Sequence, residues 1–142
     1  MNLNKKLTEM KDRKVVLSTL WIFVTLNYLY CDVMTLMDHE QLKQILTGTV
    51  GSIQMTEGFL LGASILMEIP IVMVLLSRIL NYKSNRWANI VAGSIKTVVM
   101  ILSMFVGTPT LYYIFFGTIE MACTAFIIWY AWTWTNPERK IA

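Results

Sequence analysis

The sequence contains few charged residues for its length. Asp, Glu, Lys and Arg make up 15% of its 142 residues, whereas soluble domains carry about a quarter. Hydrophobic residues account for 56%, and the mean hydropathy is +0.55. This composition excludes a soluble cytosolic enzyme. The basic residues lie mainly near the chain ends and in short connecting segments, which also excludes a nucleic-acid-binding protein.

Cysteine and histidine are scarce as well. Cys31 and Cys123 are the two cysteines, and His39 is the single histidine. Two cysteines are too few for a disulfide-stapled secreted domain, and one histidine excludes a bis-histidine haem site within one chain. The sequence has no nucleophile elbow, phosphate-binding loop or nucleotide-binding fingerprint. We therefore expect no enzyme activity, no metal site and no cofactor.

Four stretches of the chain are apolar enough and long enough to cross a bilayer, which requires about 20 residues per helix. They lie at about residues 15–37, 57–80, 87–106 and 111–134. None shows the period-two alternation of a membrane barrel strand, and helices satisfy their own backbone groups in lipid. The sequence predicts an all-α fold in which residues 1–142 form a single domain, a bundle of four transmembrane helices.

The basic residues predict the orientation of this bundle. Lys43 lies in the connection on one side, and Lys96 lies inside a span. The other ten of the 12 basic residues fall on the opposite side: Lys5, Lys6, Lys11, Arg13, Lys14, Arg78, Lys83, Arg86, Arg139 and Lys140. Because positive charge accumulates in cytoplasmic segments, we expect both termini in the cytoplasm and the protein in the cytoplasmic membrane.

The connection between the first two spans, about residues 38–56, carries apolar residues at helical spacing. Leu42, Ile45 and Leu46 are followed by Gly48. This pattern predicts a short outer amphipathic helix that is ended by glycine. The helix either only joins the two spans or covers the outer mouth of the bundle as a lid.

Each predicted span contains an ionisable residue at membrane depth: Asp32, Glu68, Lys96 or Glu120. Such a residue costs about 2.5–3.5 kcal/mol near the bilayer centre, so it usually faces the bundle interior and has a function. Their depths overlap at a rise of about 1.5 Å per residue. We therefore expect all four to face inward, with Lys96 within ion-pair distance of Glu68 or Glu120.

Other polar side chains share helix faces with these four residues, at steps of three, four or seven residues. The predicted binding site consists of Asp32, Glu68, Lys96, Glu120, Asn27, Tyr28, Ser64 and Tyr113. Three carboxyls and one ammonium leave about two excess negative charges, which a low-dielectric interior does not tolerate. Protonation of one or two carboxyls, entry of water from the outer side or a bound cation would compensate this excess charge.

Several functions are compatible with this polar centre. The first is that the protein binds or passes a proton, a small cation or a polar or cationic solute, with a lipid headgroup as another candidate ligand. The alternative is a noncatalytic structural or accessory protein whose buried charges hold the helices together. Gly58 and Gly62 form a GxxxG pair, which favours a helix seam within one chain or between the subunits of a homo-oligomer.

Pro70 follows Glu68 by two residues. Proline lacks a backbone N–H, so it leaves the carbonyl of Leu66 without its helical partner. A proline within a membrane helix is either a packing feature or part of an ion site, because freed carbonyls often line such sites.

Three segments resemble a family of small bacterial four-helix membrane proteins that is classified as a domain of unknown function. They are Thr56–Ser77 (TEGFLLGASILMEIPIVMVLLS), Asn85–Ser94 (NRWANIVAGS) and Ile128–Trp134 (IWYAWTW). The size and four-span plan are more loosely similar to DoxX-like membrane proteins. The resemblance implies an integral four-helix protein of bacterial origin, and it carries no activity and no functional residue.

Overall fold

A computed structural model describes residues 3–135 of the chain. This part is helical apart from a small two-stranded hairpin, and its elements follow in this order: α1 (Leu3–Met37), α2 (His39–Leu46), β1 (Thr49–Val50), β2 (Ile53–Gln54), α3 (Glu57–Ile79), α4 (Tyr82–Ser103) and α5 (Leu111–Trp132). The all-α prediction is confirmed. Three segments are long and apolar enough to cross a membrane: Thr8–Met37 within α1, and all of α3 and α5. Their length and composition indicate a membrane protein.

Local side-chain caps explain where three of the helices begin. The side chain of Thr56 accepts a hydrogen bond from the backbone N–H of Phe59 at the start of α3. Asn81 caps α4 in the same way, accepting from the N–H of Ser84. Asp38 caps α2, accepting from two N–H groups of its first turn. These side chains satisfy N–H groups that have no partner inside the helix.

The short amphipathic helix predicted after the first span is confirmed as α2. Gly48 follows its end with a φ of 79°, a conformation that glycine adopts without steric cost. The hairpin of β1 and β2, which pairs Thr49 with Gln54, was not predicted. Two-residue strands lie below the length at which alternation of apolar residues becomes visible in a sequence.

The four long helices form a ring in which α1 packs against α3 and α5, and α4 packs against α5 and α3. Leu17, Trp21 and Val24 of α1 are fully buried, and they pack with Met73 of α3 and Ile127 of α5. We call the end of the ring that contains residues 38–56 and 104–110 the loop end. The opposite end, with Leu80 and Asn81 between α3 and α4, is the turn end.

A buried polar network closes the ring toward the turn end. Its four residues, Trp21, Ser77, Asn85 and Asn89, are 0% exposed. The indole N–H of Trp21 donates to Asn89 Oδ1 at 2.7 Å, and the hydroxyl of Ser77 donates to the same oxygen at 3.3 Å. Asn89 Nδ2 donates to Asn85 Oδ1 at 2.6 Å, and Asn85 Nδ2 donates to the carbonyl of Ser77 at 2.6 Å. The network ties α1, α3 and α4 together.

Candidate functional site

Lys96 of α4 lies at the centre of the bundle, and 4% of its surface is exposed. Its ammonium nitrogen lies 3.5 Å from the carbonyl oxygen of Leu66 and 4.0 Å from the sulfur of Met67, both on α3. It also lies 4.0 Å from the centre of the Tyr28 ring on α1, a cation–π contact. All three partners are neutral, so they orient the ammonium without cancelling its charge.

The contact with Leu66 follows from a proline inside α3. Pro70 lies within the helix, and it supplies no N–H to the carbonyl four residues before it. That carbonyl is the one approached by Lys96. The sequence therefore predicted the free acceptor correctly, while its donor comes from another helix and depends on how α3 and α4 pack.

Glu120 of α5 and Tyr28 of α1 contribute buried polar atoms that have no partner. Glu120 is 2% exposed and Tyr28 is 8% exposed. Within residues 3–135, neither Glu120 Oε1 nor the Tyr28 hydroxyl forms a hydrogen bond. Buried polar atoms in native proteins are nearly always hydrogen-bonded. The centre of the bundle therefore holds unused hydrogen-bonding capacity next to a buried ammonium.

The expected ion pair of Lys96 with Glu68 or Glu120 is not formed. In the part of the chain that the structure describes, no carboxylate oxygen lies within 4.0 Å of the Lys96 ammonium. Glu120 and Asp32 nevertheless act on Lys96 electrostatically, Glu120 more strongly. The ammonium instead contacts the carbonyl of Leu66 and the ring of Tyr28, and Glu68 lies on an exposed face of α3.

A cavity of about 880 Å³ extends from Lys96 toward the loop end. Its inner part lies between α3 and α4, where Leu66, Met67 and Val99 line the wall beside Lys96. The segments at the loop end line its mouth, and they contribute polar side chains such as Gln44 and Thr110. Lys96 lies seven residues, or about 10 Å, from the last residue of α4, so the ammonium is reached from the loop end.

The cavity is also open sideways, between α3 and α4. Several α3 residues that line it are exposed, among them Phe59, Gly62 and Ala63. On α4, Leu102 lines the cavity and is 61% exposed. Toward the turn end the two helices approach each other, and the network around Asn89 fills the space between them. The cavity is therefore a groove that is closed at its turn end.

Two further predicted site residues lie near this groove. Tyr113 of α5 lines it, and its hydroxyl donates to Ser103 Oγ at 2.7 Å. Ser103 in turn donates to the carbonyl of Met100, so this short chain of hydrogen bonds is complete. Asp32 of α1 is exposed, but its charge acts on Lys96. Asp32 thus lies at the edge of the polar centre.

Three other predicted site residues are not brought to the centre. The side-chain amide of Asn27 donates to the carbonyl of Phe23, and the hydroxyl of Ser64 donates to the carbonyl of Leu60, each within its own helix. Glu68 is exposed on α3. The expectation that all four ionisable residues face inward is therefore wrong for Glu68, and also for the exposed Asp32.

The physical reason lies in the rotation of α3 about its axis. Helical spacing identifies residues that share a face, but it does not say which face turns toward the neighbouring helices. The buried face of α3 carries Pro70, Met73 and Ser77. Glu68 and Ser64 share a different face, which is exposed in the single chain.

The groove itself was not predicted from the sequence. Its walls depend on Gly62 and Ala63, whose small side chains leave room beside Lys96. A Cβ atom added at Gly62 would meet nothing within 4 Å. The available signal was the GxxxG pair of Gly58 and Gly62, because both glycines line the groove.

The arrangement can bind a small molecule by polar contacts at one end of an apolar groove.

Comparison with known proteins identifies the family of this chain but no activity. Neither the curated proteins nor the solved structures give a match to this chain. A family model matches residues 5–140, which is nearly the whole chain. The chain therefore belongs to DUF6326, a family of unknown function.

Proposed function

We propose that this protein is a four-span integral membrane protein that binds a small polar solute in the groove at Lys96. The observation that carries the proposal is the buried ammonium at the inner end of the 880 Å³ groove, paired with no carboxylate among residues 3–135. A buried charge that retains only neutral partners is costly. A solute that supplies an acceptor would lower this cost.

In this proposal α4 is the fourth span. Its 22 residues extend over about 33 Å, enough to cross the hydrocarbon core. Its polar residues Asn85, Asn89 and Lys96 are buried in the bundle, and its exposed side chains include Val91, Val98 and Leu102. The mean hydropathy of α4 understates how apolar its lipid-facing surface is, because the mean includes buried polar residues that do not contact lipid.

The proposed orientation places the turn end in the cytoplasm of a bacterial cell. Arg13, Arg78 and Arg86 lie toward this end, where Arg13 donates to the carbonyl of Tyr130 and Arg86 to that of Trp132. Cytoplasmic flanks of membrane helices are rich in Lys and Arg. The groove would then open toward the outside. A relation to DoxX-like proteins and a homo-oligomer that covers the exposed face of α3 remain expectations.

Binding is favoured over passage through the bundle. A solute that left Lys96 toward the turn end would have to cross the network of Trp21, Ser77, Asn85 and Asn89, which is fully buried and hydrogen-bonded. Opening that network strands several buried polar groups, at about 1–3 kcal/mol for each. Passage would therefore require a second conformation.

Solute binding is tested by thermal unfolding of the purified protein with graded concentrations of carboxylates, amines and neutral solutes. A solute that binds only the folded state raises the unfolding midpoint. We expect at least one class to raise it for the wild type and not for Lys96→Met. Lys83→Met is the matched control, because Lys83 is an exposed lysine on the same helix. The proposal fails if no solute produces a shift that depends on Lys96.

A second candidate function is a proton or small-cation site at Glu120. It is favoured by the buried Glu120 Oε1, which has no hydrogen-bond partner in the described part of the chain. Flux of protons or cations into liposomes that contain the protein measures this activity. Glu120→Gln should abolish such a flux, and Glu68→Gln should leave it unchanged because Glu68 is exposed outside the centre.

The same pair of variants separates both candidates from the structural alternative. Glu120→Gln keeps the side-chain volume, and Glu120 Oε1 has no hydrogen bond to lose. We therefore expect the free energy of unfolding in detergent to change by no more than about 1 kcal/mol. If Glu120 held the helices together through Lys96, its neutralisation would strand a buried charge at about 3 kcal/mol or more. Such a loss, absent from Glu68→Gln, would support the structural role.

A further inference from the structure

We propose that the groove binds an amphiphilic weak acid, a molecule with an apolar body and one carboxyl group at its end, and that this carboxyl group contacts Lys96. The inference rests on the proposed solute-binding function and specifies its ligand class. Among the described residues that line the groove, Lys96 is the only one that carries a charge. The groove therefore presents one ammonium and no carboxylate, which disfavours an organic cation.

The number of charges favours a carboxylic acid over other acidic groups. Lys96 offers one ammonium, and Glu120 lies close enough to act on it. A group with two negative charges, such as a phosphate monoester, would leave the buried centre with excess negative charge. A carboxylic acid in its protonated form adds no net charge, and its carbonyl oxygen can accept a hydrogen bond from Lys96. It therefore leaves the charge of the centre unchanged.

Two buried atoms without partners belong to the polar centre around Lys96. Within residues 3–135, Glu120 Oε1 and the Tyr28 hydroxyl form no hydrogen bond, and the Tyr28 ring lies against the Lys96 ammonium. Neither residue lines the groove, whereas Lys96 does. The Lys96 ammonium is therefore the group that contacts the head directly.

The walls of the groove fit an apolar body. Leu66, Val99 and Leu102 line the part between α3 and α4, and Val50 and Ile53 of the hairpin lie nearer the mouth. The volume of about 880 Å³ lies within the range of about 300–1,000 Å³ that is typical of small-molecule sites. The polar head would lie at the closed end, with the body extending along the apolar walls.

The ligand can arrive from either of two sources. The groove is open sideways between α3 and α4, where Phe59 and Gly62 are exposed, so an acid dissolved in the bilayer can enter. Its mouth is lined by polar residues such as Gln44 and Thr110, so an acid dissolved in water can enter as well. Both sources supply the same head group to Lys96.

The experiment uses three probes that share a ten-carbon chain: decanoate, decanesulfonate and decyltrimethylammonium. The full chain is reconstituted into nanodiscs of uncharged lipid, and binding is measured by calorimetry. We expect saturable binding of decanoate and at least about tenfold weaker binding of the other two. Decyltrimethylammonium is a cation that cannot accept a hydrogen bond from Lys96, and decanesulfonate cannot bring a proton into the buried centre. Decanesulfonate is a permanent anion, so it tests the need for a proton.

Two variants locate the site. Lys96→Met removes the ammonium, and Gly62→Leu fills the groove at a position where an added Cβ meets nothing within 4 Å. Both should weaken decanoate binding about tenfold or more. Lys83→Met and Leu61→Phe are the controls, because both residues are exposed and neither lines the groove. Gly62→Leu keeps the test valid if Lys96→Met does not fold, since leucine favours helix over glycine.

The outcomes separate this inference from the proposed function. If decyltrimethylammonium binds and Gly62→Leu abolishes this binding, the weak acid is the wrong ligand class, but the proposed solute binding in the groove is supported. Equal binding of decanoate and decanesulfonate would overturn the requirement for a proton. Decanoate binding that neither Gly62→Leu nor Lys96→Met alters would overturn the groove as its site. The association rate of decanoate decides the source. Thr108→Trp, at an exposed lining residue of the mouth, should slow association if the acid enters from water, and Leu102→Trp, at the side opening, should slow it if the acid enters from the bilayer.

Discussion

Replacing Asn89 by leucine is expected to lower the free energy of unfolding by about 3–5 kcal/mol. The substitution removes the acceptor of the Trp21 indole N–H and of the Ser77 hydroxyl, and it removes the donor to Asn85 Oδ1. Each buried polar group left without a partner costs about 1–3 kcal/mol. Leucine branches at Cγ as asparagine does and is not smaller, so the substitution leaves no cavity and the loss reflects these hydrogen bonds.

Asn27→Leu is the matched control for this prediction. Asn27 lies on α1, and its side-chain amide bonds only to the carbonyl of Phe23 in its own helix. Its replacement leaves no other side chain without a hydrogen-bond partner, and we expect the free energy of unfolding to change by less than about 1 kcal/mol. Denaturant unfolding of both variants in the same detergent gives the comparison. Equal stability of the Asn89 and Asn27 variants would show that the network does not hold the turn end together.

The second large effect is expected at Gly51, in the turn between β1 and β2. Its φ is 56°, and an added Cβ would lie 2.1 Å from the carbonyl oxygen of Val106. A backbone oxygen cannot rotate away as a flexible side chain can. Gly51→Ala should therefore detach the hairpin from residues 106–107 and expose the mouth of the groove. We expect cleavage of the segment 47–56 by added protease to become at least about tenfold faster, because local opening controls such cleavage.

Gly48→Ala separates the effect of this close approach from the effect of the backbone angle. Gly48 also has a positive φ, 79°, but an added Cβ there would meet nothing within 4 Å. Gly48→Ala should therefore destabilise the hairpin only through the unfavourable positive φ of alanine, by about 1–2 kcal/mol. Cleavage should therefore be slower in Gly48→Ala than in Gly51→Ala. The reverse order would mean that the hairpin does not rest on Val106.

Much of the helical architecture follows from local sequence. Thr56 and Asn81 cap helices that begin directly after them, and the apolar spacing of Leu42, Ile45 and Leu46 predicted α2. The predicted starts of α1 and α4 were less accurate. The third span was predicted from about residue 87, but α4 begins at Tyr82. The first span was predicted from about residue 15, but α1 begins at Leu3. Hydrophobicity marks where lipid contact starts, whereas a helix continues into charged residues with good helix propensity.

The sequence by itself determined the long apolar segments, the helical class and the free carbonyl at Leu66, because each depends on residues near one another in the chain. Only the tertiary structure decided which of the polar residues meet. The packing of α3 turned Pro70 inward and left Glu68 exposed, and it brought Leu66 to Lys96 of α4. A helix of period 3.6 presents several faces to its neighbours. The choice among those faces depends on contacts with other helices, which no local pattern contains.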